Sequence, residues 1–453
     1  MTGEVQVAAG QPAREGGWHR LHPLSPVVRS VRGMLAVLAI IGVSASGGFT
    51  RVGGARLYDL LVPAAAAAAA IVNWLVTRWK IDGTTLCIET GLLRRDSRQL
   101  PVARIQAVDL VRPFLARAFG LAELRVRLAG SSHADGRLAY LPEGAAVALR
   151  ARLLAAHHGL DPATPEPAEQ VMATVPTGRL LGSVLLSSAS LVIVLLIGEA
   201  VLAVAAPAGL AVLGGTLAWW LVTTVPVVWR RVSTEYGFTV ARSPDGIRIR
   251  RGLLGTVAET IPVRRVQAVR LIEPLLWRPL GWCRLEVDVA GSPGRDDADG
   301  SGRLRKTLLP VGPPAVAAPL LHAIIGEEVP VLTPPPARAR WKAPLSYHYL
   351  AAGHDGMLAA GRTGRLRRDT TWVPLEKTQS IRYVQGPLQR RLGLATVHVD
   401  AAGRRVRAEF RDRPQAQARQ LADDLAALSR QARMSAAQAA SSPSPVNAAQ
   451  REA

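Results

Sequence analysis

Three short stretches place a cation two residues ahead of a glutamine. They are Arg104 with Gln106 in LPVARIQAVDLV, Arg265 with Gln267 in IPVRRVQAVRLI, and Lys377 with Gln379 in VPLEKTQSIRYV. Residues of one parity on a strand share a face, so such a pair could present a charged donor and an amide donor together to a phosphate or carboxylate. The same pairs could instead hydrogen-bond loop backbone and fix the bend that follows the preceding proline. The structural role is the first reading and anion binding the second.

Arginine clusters are the next source of anion chemistry: Arg94, Arg95 and Arg98, then Arg248, Arg250 and Arg251, then Arg365, Arg367 and Arg368, with Arg404, Arg405 and Arg407 beyond. Each falls near an expected hairpin turn, where one charge close to an anionic bilayer contributes about 1 kcal/mol. A solvated basic face with no ligand fits the pattern equally well. Nucleic acid ranks below both, because aromatic residues for base stacking are sparse and no binding motif is present.

No catalytic residue emerges. The sequence has no H-E-x-x-H, no G-x-x-x-x-G-K-[ST], no G-x-S-x-G and no strand followed by G-x-G-x-x-G. The acidic loop Asp296, Asp297, Asp299 lacks the closing glutamate of a calcium loop, and His157 with His158 has no spaced partner for a metal. Cys87 and Cys283 are the only cysteines, which excludes a disulfide framework and a cysteine-based zinc site. Cys283 stands where sister copies carry Ala122 and Ala395, so it reads as a small buried thiol. Neither enzyme chemistry, a cofactor nor a metal is expected.

What positions these residues is a repeat. One constant shift carries Gly91, Pro101, Arg104, Gln106 and Gly120 onto Gly252, Pro262, Arg265, Gln267 and Gly281, and a second carries those onto Gly364, Pro374, Lys377, Gln379 and Gly393. After the last of these glycines each copy alternates. Leu124, Val126 and Leu128 interleave with Arg125 and Arg127; Leu285, Val287 and Val289 with Glu286 and Asp288; Val397 and Val399 with His398 and Asp400. Half-buried strands follow from this period. Gly91, Gly252 and Gly364 mark hairpin turns, and Pro142, Pro313 and Pro414 open a helical stretch that closes each copy.

Net charge is +21 with a mean hydropathy of +0.16, a combination that separates apolar from basic segments. Four apolar stretches near 31–49, 57–76, 180–202 and 209–229 approach the length of a spanning helix, about 20 residues. Arginines and lysines flank both pairs, while the 203–208 turn has none and the 50–58 turn has only Arg51 and Arg56, which sets both hairpins to enter from and return to the cytoplasm.

The P-V-x-R-[IV]-Q-x-V segment, the later proline and glycine, the G-L-L hairpin, the closing helix and the flanking apolar hairpins together resemble the bacterial PH-like, or membrane-flanked domain, family. The resemblance implies a strongly bent antiparallel sheet capped by one helix, in a multi-pass protein of the cytoplasmic membrane, and it brings no catalytic residues. In the third copy Lys377 replaces arginine and Gln385-Gly386 adds a residue before Pro387. The fold class expected is mainly β, α+β soluble domains in three PH-like units, with two transmembrane α-helical hairpins. The expected division is a cytoplasmic tail (1–30), hairpin (31–77), first domain (78–158), linker (159–178), hairpin (179–230), second domain (231–328), proline-rich linker (329–344), third domain (345–432) and disordered tail (433–453).

The function expected is an integral membrane protein that displays cytoplasmic domains as a protein-binding and assembly module. An anionic-phospholipid-binding regulator is the alternative, and a transport or enzyme component with a site between the spans ranks third. The expected partners are the lipid bilayer, anionic phospholipid headgroups, and another membrane protein or a second copy. The candidate anion-binding residues are Arg104, Arg265, Lys377, Arg94, Arg95, Arg250, Arg251, Arg367 and Arg368.

Overall fold

The computed structural model describes residues 18–20, 72, 75–82, 85–91, 95–128, 136–158, 169–187, 198, 222, 224–290, 305–326, 328–401 and 407–441. The first strands are β1 (His19–Arg20), β2 (Arg78–Asp82), β3 (Thr85–Thr90) and β4 (Asp96–Pro101). A 3-10 turn at Val102–Arg104 leads to β5 (Ile105–Arg112), short helix α1 (Phe114–Ala118), β6 (Leu121–Leu128), β7 (Gly136–Pro142) and helix α2 (Glu143–His158). β8 (Gln170–Thr174) precedes the second copy, which has β9 (Thr239–Ser243), β10 (Gly246–Arg251), β11 (Thr256–Ile261) and the turn Val263–Arg265. It continues with β12 (Val266–Pro274), a 3-10 segment Leu275–Leu280, β13 (Cys283–Val289), β14 (Arg305–Gly312) and α3 (Pro314–Ile325). The third copy has β15 (Ala351–His354), β16 (Leu358–Thr363), β17 (Arg367–Pro374) and the turn Leu375–Lys377. It ends with β18 (Thr378–Val384), α4 (Pro387–Arg391), β19 (Leu394–Ala401), β20 (Arg407–Pro414) and α5 (Gln415–Ser441). Helix α5 runs into the stretch expected to be a disordered tail.

The repeat landmarks have local physical causes. Pro101, Pro262 and Pro374 start the 3-10 turns at φ −62°, −65° and −61°, the value their rings impose, and the missing N–H costs nothing at that position. Gly120, Gly281 and Gly393 end the following short helical segments at φ 65°, 61° and 61°, a left-handed conformation that a β-carbon disfavours.

The chain divides into two compact units, Met1–Glu169 with Arg250–Thr260 and Gln170–Ile249 with Ile261–Ala453. In the first, one sheet has the order β1-β2-β3-β4 and a second has β7-β6-β5-β11. Leu86, Ile88 and Leu100 of the first sheet meet Val108, Leu124, Val126 and Leu138 of the second, and α2 closes the core with Ala146, Leu149 and Leu153. In the second unit, a six-stranded sheet runs β14-β13-β12-β17-β16-β15, and β18-β19-β20 form a three-stranded sheet. The third copy's core combines Ala359 and Val373 from the larger sheet with Val397, Val399 and Phe410 from the smaller and Ala418 and Leu425 from α5. Backbone approaches backbone there: a β-carbon on Gly361 would lie 2.6 Å from the Glu409 nitrogen.

The expectation of a mainly β fold with closing helices holds, but the two transmembrane hairpins at 31–77 and 179–230 require correction. Among the described residues no helix is long and apolar enough to cross a membrane. Most of both stretches lies outside the described residues, and the described parts of the second are helical residues 179–187, 198, 222 and 224–230. Leu180 is buried and Leu186 packs against the second copy's own core, beside Val240, Trp277 and Leu285. Part of the apolar run that reads as bilayer-facing therefore serves protein packing, which hydropathy alone does not distinguish.

Candidate functional site: the repeated turn and the sheet edges

The repeated cation and glutamine separate into different tasks. Each copy's first strand after the turn carries a register shift, between Ile105 and Ala107, Val266 and Ala268, and Thr378 and Ser380. Gln106, Gln267 and Gln379 are thus the extra residues of three equivalent β-bulges, which bend a strand locally. Gln267 is buried, and its Nε2 donates to the Arg265 carbonyl at 3.3 Å, which also accepts from the Ala290 N–H at 2.9 Å. The amide holds the bend rather than a ligand. Arg104 is exposed, Arg265 is half-buried, and half-buried Lys377 meets Glu376 at 2.9 Å. Beside the second turn an open cleft of about 390 Å³ is lined by Arg242, Asp245, Pro262 and Arg264, without Arg265.

Three of the hairpin arginines meet carboxylates. Arg250 meets Glu169 at 2.7 Å, Arg367 meets Asp369 at 3.1 Å, and Arg368 meets Glu273 at 3.4 Å while its guanidinium lies 5.9 Å from the Tyr349 ring centre. Arg251 is half-buried, Arg95 is exposed, and Arg94 lies outside the described residues. An anionic headgroup at Arg250, Arg367 or Arg368 would compete with a carboxylate already in place. Cys283 is buried, its Sγ donates to the Gly312 carbonyl, and burial pushes its thiol up to about 12, so it is not a thiolate at neutral pH.

Sequence reasoning missed the way the copies interlock. In the first unit β5 of copy one pairs with β11, the third strand of copy two, with Leu110 opposite Ala258. In the second unit β12 of copy two pairs with β17, the third strand of copy three, with Leu271 opposite Thr370. The two constant shifts of the repeat carry the first register onto the second without slippage. The β12–β17 junction is sealed by charge: Arg270 donates to Asp369, and Arg368 meets Glu273 directly opposite.

Of the strands that occupy these copy-to-copy pairing positions, two have no such partner among the described residues. β4 is the equivalent of β11 and β17 but bonds only to β3; β18 is the equivalent of β5 and β12 but bonds only to β19. Exposure follows. Arg98 and Gln99 are exposed, whereas Glu259, Thr260, Thr371 and Trp372 at matching positions are buried; Asp96 and Ser97 are exposed, whereas Val257, Ala258 and Asp369 are half-buried and Thr370 is buried. Gln379, Ser380, Arg382 and Val384 are exposed, whereas Gln267, Ala268 and Ile272 are buried. On β18, Arg382 is held by Asp400 at 2.6 Å, and Ser380 donates to the same carboxylate at 3.1 Å. A signal for this was present in the aligned strands DSRQLP, VAETIP and DTTWVP, of which the first is the most polar.

A family model described as Bacterial PH domain matches residues 29–157, 182–324 and 315–429. No curated protein and no solved structure matches the chain.

Proposed function

The chain belongs to the bacterial PH domain family, and we propose that it serves as a non-catalytic protein-binding and assembly module that works through its open sheet edges. The observation that carries this reading is the contrast on one strand position: β5 and β12 are covered by a neighbouring strand, while no strand among the described residues pairs with that edge of β18. Unpaired edges accept an added strand, with backbone hydrogen bonds giving affinity and alternate side chains giving specificity. The phospholipid reading is the weaker of the two because Arg250, Arg367 and Arg368 are already matched with carboxylates. The place of action we propose is the cytoplasmic face of the cell membrane, which a net charge of +21 suits.

Site-specific photo-crosslinking in cells tests the choice. A photoreactive residue at Ile381 on β18 is expected to give protein adducts, and one at Arg365 in the hairpin turn is expected to give background only. Lipid adducts from position 365 with none to protein from 381 would overturn the assembly reading in favour of the headgroup one.

A further inference from the structure

We propose that the open edge of β18 is completed by β4 of a second copy of this chain, giving head-to-tail self-association in the register already used twice inside the molecule. This deepens the assembly reading and rests on it.

The case begins with what each edge lacks. Every copy has one strand that accepts the next copy (β5, β12, β18) and one that docks on the previous copy (β4, β11, β17). Two of the three acceptors are filled by the docking strands that follow them. What remains is one acceptor at the end of the repeat, β18, and one docking strand at its start, β4. Acceptor and docking strand left over in this way are complementary between molecules, so the contact is heterologous and adds copies in series.

Charge placement supports the same register. The repeat shifts carry Arg270 onto Arg382 and Asp369 onto Asp96. One of the two ion pairs that join β12 to β17 thus has its counterpart on the two open edges, the arginine on the acceptor and the aspartate on the docking strand, while Glu273 corresponds to Gln385. In the same register Tyr383 faces Ser97 and Arg382 faces Arg98. Asp400 now holds Arg382 and Asp96 now meets Arg98 at 3.1 Å, so these two arginines bring two aspartates to the junction, and Arg95 falls opposite the uncharged Gln385. β4 also has the composition of a strand that stays soluble while unpaired, with Asp96 and Arg98 on an exposed edge.

Sedimentation velocity of the full chain, from dilute to concentrated solution, tests the proposal with charge variants. The wild type is expected to form species larger than a monomer as concentration rises. Asp96→Arg and Arg382→Asp are each expected to weaken association about tenfold or more, because like charges then meet across the junction. The double variant carrying both reversals is expected to recover most of it, an outcome that simple misfolding would not give. Hydrogen exchange of the wild type supplies a readout independent of any variant: amides of β4 and β18 become protected as concentration rises, while those of β20 do not change. A chain that stays monomeric, or associates with no protection of β4 and β18, overturns the proposal. If protein adducts from position 381 persist in cells while the purified chain stays monomeric, self-association fails and the assembly reading stands; if both are absent, both fail.

Discussion

β12 and β18 are the same strand of two consecutive copies within one unit, yet one is interior and the other is an edge. Val266, Gln267, Ala268 and Val269 are buried on β12, while on β18 only Thr378 of the matching four is buried. Neither strand differs much in β-propensity, and both leave an equivalent turn through an equivalent bulge. What differs is the neighbour. β12 has β17 along its second edge, and no strand among the described residues pairs with the second edge of β18, although α5 packs on its face with Arg419 over Tyr383. In a repeat chain the environment of a position is set by the copy beside it, and the third copy's β18 has that interface without an occupant among the described residues.

The largest expected effect lies in the pair Arg270 and Asp369, whose side chains are 19% and 16% exposed. Removing Arg270 leaves the mostly buried Asp369 with the more exposed Arg367 as its remaining partner, so Arg270→Met is expected to cost about 2 kcal/mol of stability. The equivalent substitution on the edge, Arg382→Met, removes an ion pair whose arginine is 50% exposed, and about 0.5 kcal/mol or less is expected. Denaturant unfolding of the two variants compares them. Equal losses would mean that β18 is covered in the folded chain and would remove the basis of the contrast.

Local features were legible in the sequence, and the strand partners were not. The alternation placed Leu124, Val126, Leu285, Val287, Val397 and Val399 inside, and all six are buried. The proline turns and left-handed glycines were readable because φ constraints act within a few residues. Asp288 was expected on a wet face and is buried, on a strand flanked on both sides by β12 and β14. Pairing of β5 with β11 or β12 with β17 depends on residues far along the chain, and periodicity contains no term for that. The arginine clusters were legible as charge but not as ion pairs, because Glu169, Asp369 and Glu273 sit on different strands or loops from most of the arginines they meet.

Acid provides a second, smaller separation between interior and edge. Burial alone would raise the Glu235 carboxyl, but the Arg284 charge and hydrogen bond at 2.8 Å, with help from Arg231, outweigh it and hold the group below its ordinary value of 4.5. A carboxylate with a depressed folded value contributes stability above its unfolded value and loses it as pH falls through the folded one. Each unit of depression is worth about 1.4 kcal/mol. Unfolding followed from neutral pH to below 4.5 is expected to show a loss that Glu235→Gln reduces, the variant being less stable at neutral pH but less sensitive to acid. Asp400 at the edge is also held low: burial would raise it, and hydrogen bonds from Arg382 and Ser380 outweigh that. Its substitution by asparagine is expected to alter the acid limb less, since solvent screens that pair. An acid limb unchanged by Glu235→Gln would remove Glu235 as its source.

The smallest expected effect is also the one that makes the open edge most like the closed one. Position 98 on β4 corresponds to Thr371 on β17, which is buried directly opposite Arg270. Arg98 at that place would set a second guanidinium opposite Arg382, and it currently occupies Asp96 at 3.1 Å. Arg98→Thr relieves the like-charge contact and frees Asp96 for Arg382, reproducing the residues that seal β12 to β17. Cross-strand pairs contribute about 0.2–1 kcal/mol each, so self-association is expected to tighten by about two- to fivefold in Kd. Fold stability of the monomer is expected to change little, because Arg98 is exposed and its ion pair with Asp96 is screened. Sedimentation of the variant beside the wild type reads the shift. Weaker association would place the two edges in another register, with Arg98 rather than Asp96 making the favourable contact.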